Sequence, residues 1–257
     1  MAPNAHRSLK YEYELYVESE IEDYKDSIPR NALLKIGDEA VAILQSGDQF
    51  TLDELLLWQE VDRIIIKRLR LPTYRTWRAR KLRDMEAMRR PERWGLSADA
   101  PLVRAIRPAD PGRALVAGPH ESGQPLYLAA NGHRVTTLEA EPASLARVRA
   151  EAEAAGIGER VDAHLGGLRE WKPDARYSLV VWTTTALAGL SSAECARVIQ
   201  TLQSATVDGG VHLVQTIIAG RAASERDEIL RRYEGWDVSL EQTGERTLSL
   251  VARKSAA

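Results

Sequence analysis

From Arg113 onward the chain alternates short apolar runs with helix-length segments, and this alternation restricts the fold more than any other feature of the sequence. RALVAG (113 to 118), HRVTTLE (133 to 139), RVDAHLG (160 to 166), YSLVVW (177 to 182) and GGVHLVQTII (209 to 218) are strand-like. The helical stretches between them, at 123 to 131, 142 to 155 and 191 to 205, have the length that a right-handed crossover needs. Near-continuous apolar strands joined in this way are buried on both faces, which predicts an α/β, doubly wound, Rossmann-like sheet. After a helix at 223 to 233, the tail GWDVSLEQTGERTLSLVARK reads as two strands joined at Thr243-Gly244. That hairpin places an antiparallel strand at or near the end of the sheet.

Residues 1 to 95 follow a different period and read as an all-α N-terminal domain. Leu9, Tyr13, Tyr16 and Tyr24 recur at helical spacing, and NALLKIGDEAVAILQ follows Pro29 with its apolar residues on one face. Thr51 and Glu54 form a capping-box signature for a helix that should stop near Leu71, before Pro72. A fourth helix is expected from about Thr73 to Arg90. Pro101, Pro108 and Pro111, with Asp110 and Gly112, mark 96 to 112 as a linker, so the sheet domain is expected over 113 to 257.

Charge is balanced overall, with 35 Lys plus Arg against 37 Asp plus Glu, but its order is not random. Between Tyr11 and Asp26 seven acids face only Lys25, whereas Lys67 to Arg93 holds 11 basic residues against Asp84, Glu86 and Glu92. The two segments either neutralise each other on neighbouring helices or leave the basic stretch as a surface for a polyanion or a protein partner. Tyr74, Trp77 and Trp94, interleaved with that stretch, could stack on bases or pack between helices. The single cysteine, Cys195, rules out an intrachain disulfide, and with no Cys/His cluster a structural zinc site is not expected either. With no apolar run long enough to span a bilayer and no signal-peptide core in MAPNAHRSLKYEYELY, a cytoplasmic setting is expected.

Gly118-Pro119-His120-Glu121-Ser122-Gly123 follows the first strand of the sheet and precedes a helix, where α/β folds bind nucleotides. Gln124 and Pro125 stand where a phosphate-binding P-loop needs Lys and Ser or Thr, so that chemistry is excluded. His120 occupies the second glycine position of a dinucleotide fingerprint. Glu139 closes the second strand 21 residues after Gly118, where a carboxylate can accept hydrogen bonds from both ribose hydroxyls. Alternatively Glu139, or Glu141, caps the helix that begins at Pro142.

Together with Leu126-Tyr127-Leu128-Ala129, Gly132-His133-Arg134-Val135, Tyr177-Ser178-Leu179-Val180-Val181, Asp208-Gly209-Gly210 and the run from Glu228 to Trp236, these residues resemble a class I S-adenosylmethionine-dependent methyltransferase. Within that group they are most similar to the tellurite-resistance methyltransferase family, over 113 to 254. The resemblance implies seven strands with the last antiparallel, and S-adenosylmethionine as cofactor. It implies that Gly118 and the backbone of Pro119, His120 and Ser122 meet the cofactor's methionine part, with Glu139 on its ribose and Ala140 beside the adenine. His120 and Ser122 replace two of the family's three alternating glycines, and Gly166-Gly167 stands where an adenine-contacting Gly-Asp is usual, leaving Asp162 or Arg169 as substitutes.

Methyl transfer is in-line displacement at an activated carbon, so alignment and water exclusion are the protein's main tasks. Trp182, Thr183 and Thr184 follow the fourth strand at its carboxyl end and are candidates for the acceptor side. No motif identifies the acceptor, and neither G-x-S-x-G nor H-E-x-x-H occurs. Two functions are therefore open. One is a methyltransferase whose N-terminal domain covers the site or selects the acceptor. The other is an inactive scaffold that binds nucleic acid or protein through that domain.

Overall fold

The computed structural model describes residues 8–46, 54–106, 111–118, 123–218, 223–244 and 247–255. By contact density the chain divides into two units, Met1–Asp84 and Met85–Ala257.

The first unit consists of helices α1 (Leu9–Ser27), α2 (Arg30–Gln45), α3 (Glu54–Leu69) and the greater part of α4 (Tyr74–Met88), within which the division falls. Ser8 caps α1 by accepting from the Tyr11 amide. Thr51, the expected cap of α3, lies outside the described residues. Ile21, Ile36, Ala40, Val61, Ile64 and Ile65 form the core. Their i, i+3 and i, i+4 spacing puts one stripe of each helix inside. Lys81 of the basic segment reaches Glu12 of the acidic one at 3.6 Å, so the two partly neutralise each other there, while Lys25 pairs with Glu22 at 2.8 Å and Asp62 at 3.0 Å. The rings of Tyr74 and Trp77 lie 5.5 and 5.6 Å from that of Tyr13, and Trp77 also stacks on Tyr16. These aromatic residues of the basic stretch are taken up in helix packing.

The second unit is built on one seven-stranded sheet in the order β3-β2-β1-β4-β5-β7-β6. Its strands are β1 (Arg113–Ala117), β2 (Arg134–Glu139), β3 (Val161–Leu165), β4 (Tyr177–Thr183), β5 (Thr206–Ile218), β6 (Asp237–Gln242) and β7 (Thr247–Arg253). The pairs from β3 through β5 are parallel, and β7 runs antiparallel to both β5 and β6. Alternate residues of each strand enter different cores, as the two-residue period of a strand requires. Ala114 and Val116 meet Leu126, Leu128 and Ala129 of α6 (Gly123–Ala130) and Val148 of α7 (Pro142–Ala154). Leu115, Ala117 and Trp182 face Ile199 and Leu202 of α8 (Ser192–Ser204) and Ile229 of α9 (Ala223–Arg232). Each fully buried aliphatic side chain contributes about 1.5–3 kcal/mol, so this two-sided burial dominates the stability of the unit.

The stretch 96 to 112, which its prolines mark as a linker, carries a short helix, α5 (Pro101–Ala105), and buries Leu96, Leu102 and Ile106 in the α6–α7 core. Pro101 sits at the first helical position, where proline favours helix over coil because no amide is needed there. Loop composition signalled a break, whereas the three apolar residues decide the packing.

A buried polar chain ties β5 to α8 and α9. Thr206 donates its hydroxyl to the Leu202 carbonyl at 2.7 Å, so its oxygen must accept from His212 Nε2, also at 2.7 Å. The neutral ring then accepts the Tyr233 hydroxyl at Nδ1. Burial, with Lys254 nearby, pushes the His212 imidazole down to about 3. His212 and Tyr233 are therefore structural. Among the described residues no helix is long and apolar enough to cross a membrane.

Candidate functional site

The strand order reverses between β1 and β4, because β1 pairs with β2 on one side and β4 on the other. Open α/β sheets form a crevice at the carboxyl ends of such strands. Gly118 leaves β1 at that point with φ +103°, a conformation that disfavours any side chain. A Cβ there would also collide with Thr183 Oγ1 and Ala186 Cβ. The exits of β1 and β4 thus approach so closely that only glycine fits. Pro119, His120, Glu121 and Ser122 lie outside the described residues.

Glu139 ends β2 directly beside this turn, since Ala117 and Leu138 are in register. Its side chain is 6% exposed, and one oxygen accepts the Thr137 hydroxyl at 3.0 Å. The N-cap of α7 is Glu141, whose side chain makes no capping bond. Ala140 is exposed beside it. On the far side of Glu139 the β3 end is open: Leu165 is 56% exposed, and a Cβ at Gly166 would meet nothing within 4 Å. Asp162 lies three residues back from that end, paired with His164 at 3.0 Å, and Arg169 is paired with Glu194 at 3.0 Å. Neither is held at the strand end as an acid of the usual Gly-Asp would be.

Thr183 is buried at the end of β4, with its hydroxyl 2.7 Å from that of Thr185. Trp182 points the other way, is fully buried, and walls a cavity of about 440 Å³ between the turn after β4 and helices α8 and α9. Thr184, Cys195, Glu228 and Arg232 also line it. The Ser192 hydroxyl and Arg232 hold the Glu228 carboxyl below the usual carboxylate range. Burial, reinforced by Glu228, raises the Cys195 thiol above its ordinary value. At neutral pH the cavity therefore presents an ion pair and a protonated thiol rather than a strong base or nucleophile.

The sequence reading missed a pair of amides. Gln124, in the first turn of α6, is 8% exposed and donates Nε2–H to Gln215 Oε1 of β5 at 3.2 Å. Its own Oε1 is buried with no hydrogen-bond partner. The only signal was a glutamine inside the apolar run of β5. Gly123, just before it, packs so tightly on the Trp94 carbonyl that a Cβ would collide with that oxygen, while Trp94 donates its indole N–H to Met88 O at 2.6 Å. Among the described residues no cluster of His, Cys, Asp and Glu could hold a metal ion.

Residues 96–237 match the family model described as tellurite resistance protein TehB. Solved structures agree in fold. TehB from Haemophilus influenzae superimposes with a TM-score of 0.51 and 18% identity over 60% of this chain; the chain spans 61% of that protein, less than two thirds of its length. The N-methyltransferase NodS from Bradyrhizobium japonicum WM9 gives 0.48 and 14%, covering 62% of this chain and all of that one. The glycopeptide N-methyltransferase MtfA, complexed with S-adenosylhomocysteine, gives 0.47 and 17%, covering 60% and 86%. No curated protein matches the sequence.

Proposed function

Because the chain belongs to the TehB family of tellurite resistance proteins, we propose that it is a class I methyltransferase that uses S-adenosylmethionine. The observation that carries this reading is the pairing of Gly118 with Glu139 at the reversal of strand order. One supplies a side-chain-free backbone surface and the other a buried carboxylate beside it. These residues fit the cofactor. Gly118 would lie against its methionine part, Glu139 would accept from its ribose hydroxyls, and Ala140 and the open end of β3 would border the adenine. Pro119, His120 and Ser122 belong to the same proposed contact.

When bound, the cofactor would supply an electrophilic methyl carbon to the acceptor's lone pair. The protein's part is to align and to dry the site. Thr183 and Thr184 would border the acceptor beside Trp182, and the Glu228–Arg232 pair closes the adjoining cavity without offering a base. Choosing the acceptor is the role we assign to the N-terminal helical unit.

The experiment is calorimetric titration of the full-length protein with S-adenosylmethionine and S-adenosylhomocysteine, repeated on Glu139→Ala. Micromolar binding, weakened in the variant by about 1–3 kcal/mol as buried polar groups lose a partner, is the expected result. No heat at millimolar ligand sinks the reading.

A further inference from the structure

We infer that Gln124, oriented by Gln215, recognises the amino-acid end of the cofactor by accepting an N–H from its α-ammonium group. This rests on the methyltransferase reading above. A buried amide oxygen without a donor is costly, because it has left water and gained nothing in return. Gln124 Oε1 is such an atom. The other end of the same amide is engaged, since Nε2 donates to Gln215 Oε1 at 3.2 Å, which leaves the oxygen as the open end. A neutral carbonyl oxygen in a dry site selects a hydrogen-bond donor and disfavours an anion.

Register gives the direction in which a ligand would lie. β1 is flanked by β2, ending in Glu139, and by β4, whose Thr183 is paired with Gln215 of β5. A nucleoside whose ribose meets Glu139 has two ways to extend. Towards β3 it finds the exposed Leu165 and the open space at Gly166, room for a flat ring. Across Gly118 it meets Thr183, Gln124 and Gln215. The amino-acid end carries three N–H donors and a carboxylate. The orphan oxygen of Gln124 suits the first.

Two ligands separate this role from a general effect on the site: S-adenosylhomocysteine, and 5′-methylthioadenosine, which keeps the nucleoside and the sulfur but lacks the amino-acid end. In titrations of the full-length protein, Gln124→Met is expected to weaken S-adenosylhomocysteine about tenfold or more and to leave 5′-methylthioadenosine within about twofold. Gln215→Met, which frees the amide to turn, is expected to give a smaller loss in the same direction, and it carries the comparison if Gln124→Met does not fold. Glu139→Ala should weaken both ligands. Equal weakening of the two ligands by the glutamine variants, or no loss for S-adenosylhomocysteine, overturns the inference. If the unaltered protein binds neither ligand, it is the methyltransferase reading that falls.

Discussion

His212 Nδ1 lies 2.7 Å from the Tyr233 hydroxyl, and both side chains are sealed from solvent. An imidazole that must stay neutral in the folded protein makes stability depend on pH. Unfolded, the ring titrates near 6.5; folded, it is held down to about 3. The unfolded chain therefore binds a proton that the native state refuses. The contribution is fully present above about pH 6.5 and is lost as pH falls toward 3, by about 1.4 kcal/mol per unit. Urea midpoints measured between pH 7.5 and 4.5 should fall more steeply for the natural protein than for His212→Gln. Parallel slopes would show that the ring is not held neutral.

Gly118→Ala places a methyl group against Thr183 Oγ1 and Ala186 Cβ in a backbone conformation that resists a side chain. A loss of about 2–4 kcal/mol is expected. The double variant Gly118→Ala/Thr183→Ala should recover the part of the loss due to Thr183 and leave the part due to Ala186 and to the backbone conformation. Full recovery would mean that the positive φ at residue 118 carries no strain.

Gly167 stands in the place where related enzymes commonly carry an acid, and a Cβ there comes no closer than 3.9 Å to Glu170 Oε2. Gly167→Asp should therefore be tolerated within about 0.5 kcal/mol. It should also tighten S-adenosylhomocysteine by about 2–10-fold, the worth of one added hydrogen bond. An unchanged dissociation constant would place the adenine elsewhere.

We propose that the independent sheet domain begins near Met85. A fragment from Met85 keeps Trp94, whose carbonyl seats Gly123 and whose indole bonds Met88, together with the buried Leu96. It should unfold cooperatively in a thermal scan. A fragment from Ser97 lacks those contacts and is expected to melt about 2–8 °C lower, as the loss of about 1–2 kcal/mol implies for a unit of this size. Equal melting temperatures would show that residues 85 to 96 add nothing to the stability of the sheet domain.

The strands from Arg113 to Arg253 were legible because each depends on a local apolar run, and the hairpin at Thr243-Gly244 because turn chemistry is local as well. Glu139 could be found for the same reason, since strand end and spacing are properties of one short segment. The Gln124–Gln215 pair joins residues 91 apart, and nothing in either neighbourhood announces the other. His212 read as one scattered histidine among several, because its partners are Thr206, six residues back at the start of β5, and Tyr233, just past α9. The linker reading of 96 to 112 gave proline its role as a breaker, whereas Pro101 starts a helix. For Tyr74 and Trp77, composition left stacking on bases open beside the commoner packing between helices, and ring positions against Tyr13 and Tyr16 decide for packing.

β7 lies between β5 and β6, so a strand made late in synthesis is placed inside the sheet rather than at its rim. Until Arg253 has cleared the ribosome, the edge of β5 stays unpaired while everything before it is free to assemble. The nascent chain thus passes through a stage at which a bare parallel sheet can recruit a foreign strand. Synthesis of β7, rather than any event in the helical half, is what closes that window.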